Sequence, residues 1–195
     1  MRRNILCDHS GATIVEFAIV APVLVMFIMG AGDLLLQSYA SSMLTGEVEK
    51  AGRDSTLQAN ASATATAEID ARVMAAVRQI APGATYTSSR ENYTNFTNVQ
   101  KPEPFTDSNS DGIRQVPECY SDVNNNNRYD IDQGEVGEGG ASDVALYTIT
   151  VTYRHFFPIV GLFGGNNNAV ISAKTLLMNQ PYAAQSISIP ALLCT

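Results

Sequence analysis

The sequence predicts an α+β fold, with a long amino-terminal helix followed by a second helix and a small antiparallel sheet. First, the stretch from Phe17 to Gly32 contains no charged residue, and apolar residues continue beyond it at helical spacing. Second, an amphipathic segment ends at residues 82–83, a Pro-Gly pair that stops a helix. Third, apolar residues alternate with threonines over 147–153, the period of a half-buried strand.

The apolar run is long enough to cross a membrane. A spanning helix needs about 20 residues, and segment 14–36 supplies them with few charges. Arg2 and Arg3 precede the run, and the first charge after it is Asp33. The positive-inside rule therefore keeps the amino terminus in the cytoplasm and exports the remainder. We expect a short leader over 1–11, a transmembrane part over 12–36 and an exported domain over 37–195.

Glu16 stands at the start of this run, where a carboxylate costs roughly 2.5 to 3.5 kcal/mol in a membrane helix. A cost of that size suggests a function. A cut after Gly11 would make Ala12 the first residue and place its ammonium about one helical turn from Glu16. The alternative is a conventional secretory signal cleaved after the small residues 30–32. The length of the run and the presence of Glu16 favour the cut after Gly11.

Helical periodicity continues past the membrane and then begins again. An apolar stripe extends the first helix to about Leu57, a length of about 70 Å from Ala12, with a kink or local break expected at Pro22. A second helix, capped by Thr64 or Thr66, should be stopped by the Pro-Gly pair at 82–83. Its predicted buried face is Ile69, Val73, Ala76, Val77 and Ile80, with Glu68, Asp70 and Arg72 outside.

The regular structure after the second helix is predicted to be strands. Segments 147–153 and 169–178 are the firmest, 84–87 is short, and 92–99 is less regular. Between the two firm strands lies a strongly apolar loop, 155–165, in a position where loops are usually polar. One interpretation is that this loop contacts the membrane surface or a neighbouring subunit. The other is that it packs against the long helix of the same chain and closes the core. Periodicity does not decide between them.

Four segments together resemble the TadE-like pseudopilins of bacterial tight-adherence (Flp, type IVc) pilus systems. They are 11–23 (GATIVEFAIVAPV), 153–158 (YRHFFP), the glycine pair 164–165, and 178–182 (MNQPY). The resemblance implies that a prepilin peptidase removes the leader after Gly11 and that the fifth mature residue, Glu16, is needed for assembly. The implied processing residues are Gly11, Ala12, Glu16 and Phe17. Residence in the inner membrane is also implied, with a periplasmic domain that could become extracellular in the pilus. The implied partners are other pilin-like subunits and pilus assembly proteins.

Charge and cysteine usage agree with an exported protein. The net charge of -7 leaves no basic patch for phosphate contacts, so we expect no nucleic-acid partner. Cys7 lies in the leader, whereas Cys119 and Cys194 lie on the exported side, where disulfides persist. A bridge between these two is slightly favoured over two separate thiols, because spacing alone does not show that they meet.

The acidic insertion 103–135 contains a repeat. Residues 103–112 (EPFTDSNSDG) recur fifteen positions later as 118–127 (ECYSDVNNNN). Oxygen donors at alternate positions, followed by a residue that tolerates positive φ, fit an EF-hand-type calcium loop, although no clear amphipathic helices flank it. The candidate ligands are Asp107, Asn109, Asp111 and Glu118 for the first loop and Asp122, Asn124, Asn126 and Asp130 for the second. The second copy has Gln133 at its twelfth position, where Asp132 or Glu135 could substitute. The alternative is a solvated, disordered excursion.

The sequence offers little support for catalysis. His9 and His155 are the only histidines, His9 leaves with the leader, and no Ser-His-Asp set, phosphate loop or Cys/His metal spacing is present. We expect a protein that is not an enzyme. Two classes of function remain: a pilus subunit or assembly component, and a secreted or membrane-anchored calcium-binding module with a conventional signal sequence.

Overall fold

The computed structural model describes residues 12–55, 63–157, 159–162, 164–181 and 189–194 of the 195-residue chain, with the backbone alone at 12 and 63–65. The predicted α+β fold is confirmed. The helices are α1 (Ala12–Ser55), α2 (Ala63–Ile80) and the short α3 (Ile159–Leu162). The strands are β1 (Thr85–Tyr93), β2 (Tyr120–Asp122), β3 (Glu135–Val136), β4 (Val144–Arg154), β5 (Asn168–Met178) and β6 (Ala191–Leu193).

Helix α1 is a single helix of 44 residues. It passes through Pro22 without the break that the sequence led us to expect. A proline removes one backbone donor, and the uninterrupted turns on both sides maintain the helix here. The predicted end at Leu57 lies outside the described residues, and the last described helical residue is Ser55.

Helix α2 ends at Ile80, just before the Pro-Gly pair at 82–83 that was predicted to stop it, and Gly83 adopts a positive φ of 87° in the turn that follows. Ile69, Val73 and Val77 are buried as expected. Asp70, predicted to lie outside, is also buried. That prediction was wrong because strand β1 supplies an arginine that pairs with this carboxylate.

Four strands form an antiparallel sheet in the order β3-β1-β4-β5. In the central strand β4, Tyr147 lies opposite Arg90 of β1 on one side and Thr175 of β5 on the other. Helices α1 and α2 pack together, and α1 also packs on β5. The core between the helices and the sheet contains Ala40, Leu44, Val48, Ile69, Val73, Met74, Val77, Tyr147, Ile149, Val151, Tyr153, Ala169, Ile171 and Ala173. Both firm strands are thus confirmed, each with the alternating burial that period two predicts.

The strand predicted over 92–99 was wrong. Strand β1 begins near the short segment predicted at 84–87 but continues to Tyr93. A turn of 3-10 helix, Phe96–Asn98, follows it, and the Asn95 side chain accepts a hydrogen bond from the Thr97 backbone at 3.0 Å. Asparagine side chains compete with sheet pairing through such local bonds, so β1 ends at Tyr93, before Thr94 and Asn95.

Candidate functional site: the exposed helix and the acidic module

The first half of α1 is apolar and uncovered by the rest of the described chain. Its large apolar side chains are exposed from Ile14 to Ile28. By length and composition α1 is able to cross a membrane, a property that a signal sequence near the amino terminus would share. An exposed apolar surface of this extent marks a site of contact with a membrane or another protein. It therefore supports membrane anchoring.

The residues of the predicted processing site lie at the start of this exposed half. Gly11 lies outside the described residues, and Ala12 is the first described helical residue. Glu16 and Phe17 are both exposed, so Glu16 presents its carboxylate on the same surface that a membrane would cover. Since residues four apart lie on one face of a helix, Ala12 and Glu16 are neighbours there.

Burial of α1 begins at Asp33, which is 8% exposed. Its carboxylate contacts His155 Nδ1, and its Oδ1 accepts a hydrogen bond of 3.2 Å from the Phe156 backbone N–H. The nearby Tyr153 hydroxyl is buried, and burial together with the Asp33 charge raises the pKa of Tyr153. The first residues of the apolar loop 155–165 are thus held against α1.

Asp70 belongs to a buried cluster of charged groups that sequence reasoning missed. Its oxygens accept hydrogen bonds from Arg90 Nη2 at 2.5 Å, the Ser88 hydroxyl at 2.6 Å and the Tyr147 hydroxyl at 2.6 Å. Burial alone would raise the pKa of Asp70, but these hydrogen bonds outweigh it and hold that pKa below its ordinary value. The other side of Arg90 pairs with Glu138, whose pKa burial raises. This cluster joins α2 to the sheet and the loop before β4.

The two copies of the acidic repeat form two loops with the same internal hydrogen bonds. In the first, Asp107 and Asn109 both aim an oxygen at the Asp111 N–H, at 3.3 and 3.0 Å. Asp107 also accepts from the Gly112 N–H at 2.8 Å. Gly112 has a positive φ of 78°, as does Ser110 at 60°.

The second loop repeats this arrangement fifteen residues later. Asp122 and Asn124 aim oxygens at the Asn126 N–H, at 3.1 and 3.3 Å, and Asp122 accepts from the Asn127 N–H at 2.7 Å. Asn127 has a φ of 61°, and Asn125 one of 56°. Asparagine tolerates this left-handed region better than most residues, so it replaces the glycine of the first copy.

A glutamate from each copy closes the loop of the other copy. Glu118 accepts hydrogen bonds from the Ser108 and Gln115 backbones at 2.8 and 2.9 Å. Glu103, which is 1% exposed, accepts from the Val123 and Asp130 backbones at 2.7 and 3.1 Å. The exchange is supported by a β-bridge between Phe105 and Tyr120, which occupy equivalent positions in the two copies. The two loops are therefore one unit, which we call the acidic module.

The candidate metal ligands are distributed within this network. Glu118 serves as the loop closure just described, while Asp111 and Asp130 each accept from two side-chain amides. Gln133 is buried, and the Asp132 carboxylate accepts a hydrogen bond from the Tyr93 hydroxyl at 3.0 Å. Within the described ranges, no three acidic, histidine or cysteine side chains are grouped as a metal site.

The acidic module is tied to the carboxyl-terminal segment. Strand β2 pairs with β6, with Tyr120 opposite Leu193, and a disulfide joins Cys119 to Cys194 beside this pair. An aromatic group fills the module, because Tyr129 packs edge-on against both Phe105 and Tyr120, with centroids 5.9 and 5.6 Å apart. The guanidinium of Arg114 lies 4.9 Å from the Tyr120 ring centre.

Comparison with known proteins gives one match. No curated protein and no solved structure shows significant similarity to the chain. The model of one family does match, over residues 11–53, and that family is described as TadE-like protein. The match covers almost all of α1 and includes Gly11, Glu16 and the exposed apolar half. It agrees with the first of the four segments in which the sequence resembles this family, while the other three segments lie outside the match: over residues 11–53, the chain is similar to the TadE-like family.

Proposed function

We propose that this protein is a minor pseudopilin or assembly component of a bacterial tight-adherence type IV pilus. A prepilin peptidase would cut it after Gly11, leaving Ala12 as the first residue. The observation that carries the proposal is Glu16, an acidic residue on an exposed helical surface whose large side chains are otherwise apolar. The TadE-like match over the same helix supports it.

Glu16 has a physical reason to favour subunit assembly. A carboxylate at the edge of the hydrocarbon is stabilised by a nearby cation, and a new ammonium at Ala12 would supply one about one turn away. Neighbouring subunits would bury the apolar side chains that surround it. The partners that we propose are therefore other pilin-like subunits and pilus assembly proteins, together with the peptidase.

The proposed location is the inner membrane, with the domain after α1 in the periplasm or, after assembly, outside the cell. Arg2 and Arg3 before the apolar run support this orientation through the positive-inside rule. The disulfide between Cys119 and Cys194 also suits an oxidising compartment. We infer a structural role rather than an enzymatic one.

Calcium binding by the acidic module is a second proposal. Paired oxygens of Asp107 and Asn109, and of Asp122 and Asn124, converge on single backbone N–H groups in both loops. Convergent carboxylate and amide oxygens are the ligands that calcium prefers. Binding would require these oxygens to exchange their N–H partners for the ion. This proposal also fits the alternative in which the chain is a secreted or membrane-anchored calcium-binding module.

The pilus proposal is tested by comparing Glu16→Ala with Glu49→Ala. Glu49 is an exposed residue of the same helix, but it lies well beyond the apolar run. Both variants should insert into the membrane and lose the leader, while only Glu16→Ala should lose its association with pilus components and reduce the number of assembled pili. Normal assembly by Glu16→Ala, measured by shear fractionation and electron microscopy, would contradict the proposal.

A further inference from the structure

A second apolar surface lies beside α1, at the turn between β4 and β5. We define the apolar turn as residues 155–157 and 159–162, in which His155 is the only polar side chain. Phe156 is 43% exposed and Leu162 is 74% exposed. Polar residues normally occupy such turns, so these side chains require an explanation beyond the core of the domain.

Contacts with α1 fix the position of this turn along the helix. Asp33 binds His155 and the Phe156 backbone, and a side chain at Gly32 would lie 3.5 Å from Phe157. The apolar turn therefore lies at the level of residues 32–33, where the uncharged run ends. It is attached to α1 through a buried polar contact rather than free to move along it.

The length of α1 sets the depth of this level in a bilayer. Asp33 lies about 26 Å along the helix from Glu16 at 1.5 Å per residue, while the hydrocarbon core is about 30 Å thick. With Glu16 at the cytoplasmic boundary, Asp33 lies a few ångströms inside the opposite boundary, and helix tilt would place it deeper. This depth accounts for the burial of Asp33 against two hydrogen-bonding partners, because an unpaired carboxylate is costly there.

Residues after Asp33 support the same depth. Leu34 and Leu35 are 68% and 73% exposed, as expected if lipid still surrounds the helix there. Tyr39 is 58% exposed. It lies about 35 Å from Glu16, in the headgroup region where tyrosine is enriched.

We propose that the apolar turn inserts into the outer leaflet of the membrane that α1 crosses, as a second point of attachment for the domain. The occupant of this surface is lipid, since Phe156, Val160 and Leu162 are exposed on a turn that Asp33 holds at the level where the uncharged run of α1 ends. The attachment fixes the domain close to the membrane. The proposal depends on the membrane-spanning role of α1, but not on pilus assembly.

The absence of tryptophan from the chain allows a direct test. Leu162→Trp and, as a second site on the turn, Val160→Trp are each made in the full chain and reconstituted into phosphatidylethanolamine–phosphatidylglycerol vesicles with or without brominated acyl chains. Leu24→Trp, within the proposed span, is the membrane-embedded reference. Val136→Trp is the exposed control, because Val136 pairs with Glu91 and thereby lies level with Leu146, about 30 Å from the turn along β4.

We expect bromine to quench Leu162→Trp and Val160→Trp several-fold more than Val136→Trp, at every protein-to-lipid ratio. Quenching of Leu24→Trp with neither turn variant quenched would overturn this proposal while leaving the membrane helix in place. If bromine does not quench the turn variants but their fluorescence changes with the protein-to-lipid ratio, the turn contacts other copies of the chain. That result would also overturn the proposal. An unquenched Leu24→Trp would refute both the spanning helix and the inserted turn.

Discussion

At the scale of single residues, Asp70 shows how a charge can be placed inside this domain. The carboxylate is buried, yet it receives hydrogen bonds from Arg90, Ser88 and Tyr147. The Arg90 guanidinium also lies 4.3 Å from the centre of the Tyr147 ring. Because a buried ion pair is costly to form and more costly to break, this cluster is expected to fix the position of α2 on the sheet.

Asp70→Asn should destabilise the full-length protein in detergent micelles by about 3 kcal/mol at neutral pH, the cost of removing one partner of a buried ion pair. Asp54→Asn is the matched control. Its pair with Arg72 lies at the surface, so the change should stay below about 1 kcal/mol. Urea unfolding of both variants beside the wild type measures the difference, and equal effects would show that the Asp70 cluster contributes little.

The same residue predicts an acid response. The folded-state pKa of Asp70 lies below its ordinary value of 3.8. The stability that ionised Asp70 contributes is therefore complete above about pH 4 and is lost as the pH falls through the folded pKa. Wild type should lose stability below pH 4 more steeply than Asp70→Asn. Parallel pH profiles would contradict the pKa assignment.

The sequence identifies Glu16 but not Asp70, for a physical reason. Glu16 is conspicuous because its neighbours along the chain are apolar, so a local pattern is sufficient. The burial of Asp70 depends on Arg90 in β1 and Glu138 in a distant loop. No pattern within α2 indicates which charge will find such a partner.

At the scale of elements, the contact between α1 and β5 depends on a close approach at Gly52. A side-chain carbon at Gly52 would lie 2.5 Å from Thr175 Cγ2 and 2.8 Å from Leu177 Cδ1. Threonine is β-branched and has little rotamer freedom. The helix and strand would have to separate to admit even an alanine.

Gly52→Ala should therefore destabilise the protein by about 1 to 3 kcal/mol, the usual cost of overpacking. Gly46→Ala, in the same helix, is its control. Apart from the nearby helix backbone, no atom lies within 4 Å of the carbon that this change adds. That change should stabilise the protein by up to about 1 kcal/mol through helix propensity. Thermal unfolding in one detergent gives both values, and a stabilising Gly52→Ala would disprove the close approach.

The repeat in the acidic module was visible in the sequence, and calcium-loop spacing assigned Glu118 to the first loop. The sequence did not indicate a role for Glu103, because that residue precedes the second loop by almost twenty positions. The structure gives Glu103 to the second loop and Glu118 to the first. A positive φ was expected at Gly112 and Asn127, whereas Ser110 and Asn125 gave no comparable signal.

At the scale of the whole molecule, an exposed apolar helix segment adjoins a folded domain, and the acidic module is the part of that domain that an ion could stabilise. The proposed calcium binding predicts a higher Tm of the full-length protein in calcium than in EDTA. The gain is about 2.7 kcal/mol at a hundredfold excess over Kd, with Kd near 0.1 to 1 mM and a weaker effect of magnesium. Asp107→Asn/Asp122→Asn should reduce the calcium-dependent shift. Identical wild-type melting curves with and without calcium would exclude this site.

The central claim is that α1 is a pilin-like helix and that a cut after Gly11 removes the leader in front of it. The mass of the mature protein tests this claim most directly. The full-length chain is expressed with the cognate prepilin peptidase, and the membrane-bound product is analysed by intact mass and amino-terminal sequencing. The account predicts a mature protein that begins at Ala12 and retains the apolar helix, with processing blocked by Gly11→Leu. A mature protein that begins at Asp33, or normal processing of Gly11→Leu, would contradict it.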